Sequence, residues 1–172
     1  MSARVGLGFD VHPFAVPGDG RPLVLGGVVI PDAAGLAGHS DADVVAHAVS
    51  DALLSAAGLP DLGTRYPAGD EAHRGASSTG FLAEIVEHLR ADGWVAANVS
   101  VVIAAEQPRL APHLAAIAAG VAGVLAPLAA APEPAVPVSV TPKRAEGLGA
   151  IGRAEGIAAW AVALLRRVES VE

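Results

Sequence analysis

The sequence predicts a single layered domain of the α/β or α+β class, in which helices pack on a sheet. Two observations predict it: short apolar runs rich in strand-forming residues alternate along the chain with longer segments of helical period. At 172 residues the chain fits one domain, residues 1–172. A chain of that length buries roughly 70% of the surface that its unfolded form exposes, so a core can form without covalent cross-links.

The first third of the chain predicts a strand, a hairpin and a helix. Residues 4–12, RVGLGFDVH, alternate and end in polar side chains as a strand does, and residues 22–31, PLVLGGVVIP, predict a short hairpin. The helix that follows has two candidate caps, Ser40 and Asp41, and its end is predicted at Gly58.

The rest of the chain continues the alternation. Residues 59–76 predict a long connection rich in glycine, proline and charge, of a kind that is usually functional or mobile. The further predicted elements are a serine-capped helix that stops at Gly93 (77–93), a buried strand (98–104), an alanine-rich helix (110–131) and another strand (134–141). The final apolar run, residues 156–168, is compatible with a strand or a helix, because a short apolar run does not separate the two by period.

Composition excludes several kinds of partner and site. The net charge is −7 and Lys143 is the only lysine, which argues against a nucleic-acid partner, because proteins that bind nucleic acids neutralise phosphates with many lysines and arginines. Since the chain has no cysteine, a metal must be held by histidine, carboxylate or water. Residues 1–10 lack the pattern of a signal peptide, so we expect a cytoplasmic protein.

Residues 110–131 have the length of a membrane span. The segment contains Pro112, His113 and Pro127 and is dominated by alanine, whereas a span is rich in leucine, isoleucine and phenylalanine. We therefore predict a packed helix and no membrane partner.

Two short motifs carry candidate metal ligands. Asp10 and His12 are two residues apart, so both side chains project from the same face of a strand; taken alone, the pair is also compatible with a polar strand end. His47 lies on the predicted helix one turn from Asp43 and from Asp51, either as a ligand with orienting carboxylates or on a solvated face. Combined, the two motifs would form a His₂Asp site with a fourth position open for a substrate oxygen, as in catalytic zinc sites.

Three further segments are candidates for binding. His39 and Ser40 precede the first helix, where free backbone N–H groups make an anion site suited to a phosphate. Arg109 stands at a strand-to-helix connection, where it either contacts a ligand or is exposed. Residues 141–156 gather three cations with Glu146 among four glycines, which suits a phosphate with its divalent ion or, equally, an exposed turn.

Four segments in the same order resemble the 2-C-methyl-D-erythritol 2,4-cyclodiphosphate synthase family of the non-mevalonate isoprenoid pathway. They are GFDVHPF (8–14), GHSDADVVAHAVSDALLSAAGLPDLGTRYP (38–67), QPRLAPH (107–113) and EGLGAIGRAEG (146–156). The resemblance implies a homotrimer of subunits that each have a four-stranded mixed sheet packed on helices, with active sites at the subunit interfaces. It therefore favours a strand for residues 156–168.

The resemblance also implies a reaction. A phosphorus-oxygen lyase of this family converts 4-diphosphocytidyl-2-C-methyl-D-erythritol 2-phosphate to 2-C-methyl-D-erythritol 2,4-cyclodiphosphate and CMP, by attack of the substrate's own 2-phosphate on its β-phosphate. Such an intramolecular phosphoryl transfer needs alignment and neutralisation of charge more than covalent help, and two metal ions supply what an acidic chain lacks.

By matched position, the resemblance implies roles for individual residues. Asp10, His12 and His47 hold Zn²⁺, and Glu146 helps to hold a second divalent cation, Mg²⁺ or Mn²⁺. His39 and Arg144 are the implied catalytic residues. The implied substrate contacts are Asp10, His12, His39, Ser40, Asp61, Leu62, Gly63, Tyr66, Asp70, Ala105, Pro108, Arg109, Leu110, Ala111, Arg144, Glu146 and Arg153. Of these, the loop at 66–70 closes over the substrate, and residues 105–111 form the cytosine pocket with backbone groups.

Several positions depart from the family's pattern. Arg144 takes the place of a threonine that contacts the phosphates, and an arginine can pair with phosphate oxygens more strongly than a hydroxyl. Ala150 replaces a phenylalanine beside the trimer axis, where an isoprenoid diphosphate near Arg153 is a further implied ligand. Ala68 removes a loop aspartate, and Ala42 and Ala154 replace glycines with an expected minor effect.

Two other functions fit the same residues. One is a metal-dependent phosphoester hydrolase, in which water attacks in place of the substrate's 2-phosphate. The other is a trimer without catalytic activity that binds isoprenoid phosphates through Arg153. The products formed from the cytidine substrate distinguish these alternatives, since only the synthase yields a cyclic diphosphate together with CMP.

Overall fold

The fold is a four-stranded mixed sheet with helices on one face and a separate two-stranded hairpin. A computed structural model describes residues 3–67, 69–130 and 133–167. In chain order the strands are β1 (Ala3–Pro13), β2 (Pro22–Leu25), β3 (Val28–Ala34), β4 (Trp94–Ala104), β5 (Val138–Lys143) and β6 (Gly156–Arg167). The sheet has the order β1-β6-β4-β5, with β4 and β5 parallel and the other neighbours antiparallel, and β2 pairs with β3. The predicted four-stranded mixed sheet is confirmed, and the final apolar run is a strand.

With two additions, the four-residue helices at Leu62–Arg65 and Gly149–Gly152, the helices follow the predicted order. They are α1 (Val44–Ala57), α2 (Leu62–Arg65), α3 (Ser78–Ala91), α4 (Leu114–Leu125) and α5 (Gly149–Gly152), with 3-10 turns at Glu71–His73, Ala111–His113 and Ala126–Leu128. The connection 59–76 is therefore not only a loop. Helix α2 begins there because the carboxylate of Asp61 accepts a hydrogen bond from the backbone N–H of Thr64 at 2.7 Å.

Helix α1 lies directly on β1 because two glycines leave room for it. A Cβ atom at Gly8 would lie 2.0 Å from the carbonyl oxygen of Ala48, and one at Gly6 would lie 2.0 Å from that of Ala52. Side chains on a strand alternate between faces, so the two next residues on this face are Asp10 and His12. The close packing of α1 on β1 thus places the DxH motif beside the helix.

The start of α1 is set by Asp43 rather than by the predicted caps Ser40 and Asp41. The Asp43 carboxylate accepts hydrogen bonds from the backbone N–H groups of Val45 and Ala46 at 3.1 and 3.0 Å. It also accepts from Gly26 and Gly27 of the hairpin at 2.8 and 2.7 Å. Asp43 is fully buried, so it anchors the hairpin to the helix and does not belong to a solvated face. The predicted end of the helix at Gly58 is confirmed by its left-handed φ of 76°.

The start of α3 is likewise set by a distant residue. Ser77 stands at the N-cap position, as predicted, but its side chain makes no capping hydrogen bond. Instead the carboxylate of Asp41 accepts from the backbone N–H of Ser78 at 3.2 Å. The segment before α1 is thereby tied to the first turn of α3.

The alanine-rich segment is a packed helix in this fold. By length and composition alone, Ala111–Leu128 could cross a membrane. Its α-helical part has 12 residues, about 18 Å at 1.5 Å per residue, which is shorter than a hydrocarbon layer of about 30 Å. Ile117 and Val121 are buried, and a Cβ atom at Gly120 would lie 2.3 Å from the carbonyl oxygen of Gly26. These contacts agree with the prediction of a packed helix.

The sheet face opposite α1 is apolar and exposed. On β1 the exposed fraction is 68% for Val5, 61% for Leu7, 48% for Phe9 and 49% for Val11. Trp160 of the neighbouring strand β6 continues this surface, with its ring centroid 5.0 Å from that of Phe9. A contiguous apolar surface of this kind marks an interaction site.

Candidate functional site

Asp10, His12 and His47 converge at the point where the end of β1 meets the first turn of α1. The Asp10 Oδ2 atom lies 2.9 Å from His47 Nδ1 and 3.0 Å from His12 Nε2, and the two histidine nitrogens are 3.3 Å apart. Among the described residues these three form the group of side chains that could hold a metal ion. The structure therefore brings the two sequence motifs together.

The spacing of these donor atoms fits a tetrahedral metal ion. Two ligand atoms each about 2.0–2.1 Å from a tetrahedral ion lie roughly 3.3 Å apart, close to the three observed separations. Two imidazoles and one carboxylate are also a donor set that zinc accepts, with a fourth position left for a substrate. That the group binds zinc stays a prediction.

Both histidines are oriented by partners on the side away from the cluster. His12 Nδ1 lies 2.8 Å from the carbonyl oxygen of Ala37. Because a carbonyl oxygen only accepts, this hydrogen bond requires the proton on Nδ1, and Nε2 is then free to bind a metal. His47 Nε2 lies 2.8 Å from the hydroxyl oxygen of Ser78, which leaves its Nδ1 atom for the cluster. The Ser78 hydroxyl in turn hydrogen-bonds the carboxylate of Asp41.

The electrostatics of the cluster keep its carboxylate ionised. Burial opposes the charged form of Asp10, but the hydrogen bonds and charges of His12 and His47 outweigh burial and hold the pKa of Asp10 well below its usual range. Burial also opposes a charged His12, but Asp10 outweighs it and raises the pKa of His12. Without a metal, the negative carboxylate therefore favours a proton on His12.

A cavity of about 310 Å³ lies beside the cluster. It is lined by Asp10, His12, His39, Ser40, His47, Asp51, Leu62, Gly63, Tyr66, His73 and Phe81. Eight of the predicted substrate or metal residues thus share one cavity. Asp61 and Asp70 are not among its lining residues: Asp61 caps α2, and the carbonyl group of Asp70 accepts from the N–H of His73 at 3.0 Å.

The prediction from the sequence included Tyr66 but missed His73 and Phe81, the other two rings in the aromatic wall of this cavity. The rings of Tyr66 and Phe81 are stacked with centroids 4.4 Å apart, and the ring of His73 meets that of Phe81 edge-on at 5.3 Å. The one signal for this wall in the sequence was that aromatic residues are rare, at 3% of the chain. The sequence left two roles open for Asp51, to orient His47 or to lie on a solvated face. In the structure its carboxylate accepts from the backbone N–H of Leu62 at 2.8 Å and so holds the start of α2.

The segment with His39 and Ser40 is held by an arginine that sequence reasoning also missed. Arg21 donates to the carbonyl oxygen of Gly38 at 2.7 Å and to that of Ser40. The predicted anion site at the start of α1 is wrong in one respect, because Asp43 already occupies the N–H groups of Val45 and Ala46. An anion here would rely on side chains rather than on the helix terminus.

A second cavity, of about 450 Å³, lies at the other edge of the sheet. It is lined by Ala105, Glu106, Pro108, Arg109, Leu110, Ala111, Pro142, Lys143 and Arg144. Six of the seven residues predicted for the cytosine pocket, all but Gln107, therefore line one cavity, where the ends of the parallel strands β4 and β5 meet. Arg144 donates from Nε to Glu106 Oε1 at 2.9 Å.

The two cavities are separated within one chain. Asp10, Ala159, Ile103 and Pro142 are in register across β1, β6, β4 and β5. With neighbouring strands about 4.8 Å apart, Asp10 and Pro142 are separated by about 14 Å. The predicted site residues that line these cavities thus fall into two groups at opposite edges of the sheet. We name them the zinc half-site and the nucleotide half-site after their predicted ligands.

The comparison with known proteins decides the family. A family model described as the YgbB family matches residues 3–166. The chain belongs to the YgbB family. A curated relative of this YgbB-family chain, the 2-C-methyl-D-erythritol 2,4-cyclodiphosphate synthase of Bordetella petrii, is 48% identical over 164 residues, 95% of this chain and 96% of the relative.

Solved structures share the fold of the YgbB-family chain. The bifunctional IspDF from Campylobacter jejuni is 34% identical with a TM-score of 0.86, over 98% of this chain and 43% of that longer chain. The Plasmodium falciparum IspF in complex with CDP is 27% identical with a TM-score of 0.80, over 98% of each chain.

The remaining predicted residues of this YgbB-family chain lie outside both cavities. Glu146 follows β5 in a left-handed conformation with φ 53°, of a kind that concentrates at functional loops. Arg153 is exposed and pairs with Glu155 at 2.6 Å. Ala68 lies outside the described residues.

Two of the replaced glycines matter more than the sequence suggested. Ala42 and Ala154 both have φ 57°, a left-handed conformation that costs a residue with a side chain roughly 1–2 kcal/mol. The expectation of a minor effect is therefore wrong for the backbone, although neither residue lines one of the two cavities.

Proposed function

We propose that this chain converts 4-diphosphocytidyl-2-C-methyl-D-erythritol 2-phosphate to 2-C-methyl-D-erythritol 2,4-cyclodiphosphate and CMP in isoprenoid precursor biosynthesis. The observation that carries the proposal is the convergence of Asp10, His12 and His47 beside a cavity, in a chain 48% identical to a named synthase. In reaction class this is a phosphorus-oxygen lyase.

The reaction needs position and charge neutralisation from the protein. An oxygen of the 2-phosphate forms a bond to the β-phosphorus, and the bond from that phosphorus to the bridging oxygen breaks, so that CMP leaves with the bridging oxygen. Because the attacking oxygen is already an anion, no side chain has to remove a proton. What remains for the residues is to align the two phosphates and to offset their charge.

The zinc half-site would hold the reacting end of the substrate. Asp10, His12 and His47 fit Zn²⁺, which when bound polarises a phosphoryl oxygen and stabilises the charge of the transferring group. His39 and Ser40 line the same cavity and are proposed to contact the substrate, with His39 as a catalytic residue. Leu62 and Tyr66, at the two ends of α2, line the same cavity and would limit the access of water.

The second half-site would hold the nucleotide. Backbone groups of residues 105–111 suit a flat base, and Lys143 and Arg144 follow on the adjacent strand, where they can meet phosphate oxygens. The complex of a solved relative with CDP supports a nucleotide ligand. Glu146, two residues after Arg144, is proposed to help to hold a second divalent cation, Mg²⁺ or Mn²⁺.

The separation of the half-sites supports a homotrimer with active sites between subunits. Within one chain, a single substrate molecule would have to span about 14 Å to reach both half-sites. A neighbouring subunit can instead place its nucleotide half-site directly against the zinc half-site. The exposed apolar face of β1 and β6 supplies a surface that association would bury. Light scattering should then give three times the 17.1 kDa of one chain, about 51 kDa.

The experiment that tests the reaction is incubation of the protein with the cytidine substrate, Zn²⁺ and Mg²⁺, with the products identified by phosphorus NMR. Cyclic diphosphate and CMP in equal amounts are expected, with loss of turnover in His47→Ala. The control is His88→Ala, a histidine on the exposed side of α3 whose ring pairs only loosely with Asp92 at 3.8 Å.

The other outcomes identify the alternatives. Linear phosphates in place of the cyclic product would mean hydrolysis by water, and the absence of turnover with intact binding would mean an inactive trimer. An isoprenoid diphosphate near Arg153 and a cytoplasmic location stay predictions of the sequence.

A further inference from the structure

An arginine–glutamate pair joins the two strands that form the nucleotide cavity. Arg144 follows β5 and Glu106 follows β4, and the pair spans 38 residues of sequence. The Arg144 guanidinium contacts Glu106 Oε1 through both its Nε and one terminal nitrogen, with the Nε distance 2.9 Å. Both residues line the cavity of about 450 Å³.

The two partners differ in their surroundings. The Glu106 side chain is 17% exposed, whereas that of Arg144 is 68% exposed, so the carboxylate is fixed in the wall and the guanidinium lies at the rim. The Glu106 Oε2 atom is buried and has no hydrogen-bond partner among the described residues. Buried polar atoms rarely lack a partner, so this carboxylate calls for an explanation beyond that of a surface ion pair.

The guanidinium keeps unused donors. Arginine has five N–H donors in a fixed plane, and the contacts with Glu106 use two of them. Within the described part of the chain no other group accepts from this guanidinium, so three donors remain for a ligand, in the plane that Glu106 sets. Arg109 and Lys143 line the same cavity, so its rim concentrates positive charge in a chain of net charge −7.

Arg144 favours the ionised form of the Glu106 carboxylate. The hydrogen bond from Arg144 lowers the pKa of Glu106, and the charge of the guanidinium acts in the same direction. The carboxylate therefore stays an acceptor for the guanidinium.

We propose that Glu106 is a positioning residue that holds the Arg144 guanidinium at the cavity rim, where Arg144 binds a phosphate of the cytidine nucleotide. The inference rests on the proposed function, because it takes the cavity of about 450 Å³ as the nucleotide half-site. The ligand group is a phosphate rather than the base, since the free donors belong to a planar guanidinium, which suits phosphate oxygens.

The test compares two ligands by calorimetry with Zn²⁺ and Mg²⁺ present. CDP has phosphates and cytidine has none, so Arg144→Ala should weaken CDP binding about tenfold and leave cytidine binding unchanged. Glu106→Ala should also weaken CDP alone, and Glu106→Gln, which keeps an oxygen acceptor, should lose less. In the double variant, Glu106→Ala should add nothing to the loss from Arg144→Ala, because its effect acts through the arginine.

The matched control is Glu87→Ala on α3, which removes the partner of an exposed arginine, Arg90, at the same Nε–oxygen distance of 2.9 Å. It should bind CDP as the unmodified protein does. Additive losses, or equal losses for CDP and cytidine, would overturn the positioning role. If the unmodified protein binds neither ligand, the proposed function itself fails, which is a separate outcome.

Discussion

The hydroxyl oxygen of Ser78 lies 2.8 Å from Nε2 of His47, and the same hydroxyl hydrogen-bonds Asp41. Since the hydroxyl has one proton to give, donation to the carboxylate leaves its oxygen as the acceptor for the Nε2 proton of His47. The proton on Nε2 leaves the lone pair of Nδ1 free at the cluster with Asp10 and His12. Ser78 therefore links helix α3 to the choice of which ring nitrogen of His47 faces Asp10 and His12.

The first prediction follows from this connection. Ser78→Ala should lower zinc affinity about tenfold, as expected when the partner of a ligating histidine is removed. The hydrogen bond from the Ser78 backbone N–H to Asp41 is kept in this variant, so α3 retains its cap. Competition with a chromogenic chelator measures the affinity. Ser55→Ala, an exposed serine of α1, serves as control; equal zinc affinity of the two variants would contradict the prediction.

The second prediction concerns the glycine beneath α1. Gly8→Ala should destabilise the protein by about 3 kcal/mol, because the new methyl group would lie 2.0 Å from the Ala48 carbonyl oxygen and backbone cannot move aside cheaply. Urea unfolding at fixed protein concentration measures the loss. The matched variant is Gly123→Ala in α4, where no atom lies within 4 Å of the new group. Gly123→Ala should be neutral or stabilising, and a similar loss in both would refute the packing argument.

The third prediction tests the strain at a replaced glycine. Ala154→Gly should raise the free energy of unfolding by about 0.5–1 kcal/mol, because relief of the left-handed strain exceeds the entropy that glycine adds to the unfolded chain. Ala119→Gly in the exposed face of α4 should instead lower it by about 1 kcal/mol. Thermal unfolding compares the two. A loss of stability in Ala154→Gly would show that φ 57° costs nothing there.

The fourth prediction concerns pH and metal together. The pKa of Asp10 is lowered, so its contribution to stability is present above its unfolded pKa of 3.8 and is lost as pH falls. The pKa of His12 is raised, so its contribution is complete below 6.5 and is lost as pH rises through the folded value. With EDTA, the cluster therefore stabilises the fold most between these two pH values.

Bound zinc should give the stability the opposite pH dependence above pH 6.5. A metal needs histidine without the proton, so the increase in melting temperature on adding Zn²⁺ should be larger at pH 7.5 than at pH 5.5. Differential scanning fluorimetry with EDTA or with Zn²⁺ measures it. His47→Ala should abolish the increase at both pH values, and an equal increase at both pH values would argue against histidine ligands.

Local patterns were sufficient for the motifs whose geometry is set by a single element. Asp10 and His12 share a strand face because side chains alternate, and Gly58 ends α1 because it adopts φ 76° without a side chain. The strand at residues 156–167 was not accessible to the same reasoning, because its apolar run has no distinguishing period. Its place between β1 and β4 is set by pairing on both sides.

Contacts between distant segments could not be predicted from the spacing of residues along the sequence. Asp43 caps its own helix and also binds Gly26 and Gly27 of the hairpin, and Asp41 caps a helix 37 residues away. Ser40 and Asp41 had equally good capping chemistry in the sequence. Only the approach of the hairpin and α3 decides which carboxylate caps which helix.

The sequence by itself determined the chemistry of this protein: which side chains can hold a metal, that cysteine cannot, and that an acidic chain needs cations to bind phosphates. The tertiary structure decided where that chemistry lies. Gly6 and Gly8 let α1 approach β1 closely enough for His47 to join Asp10 and His12. The strand order then places the residues proposed to bind the nucleotide at the far edge of the sheet. The physical reason is that side-chain chemistry is local, whereas the distance between two half-sites depends on strand pairing.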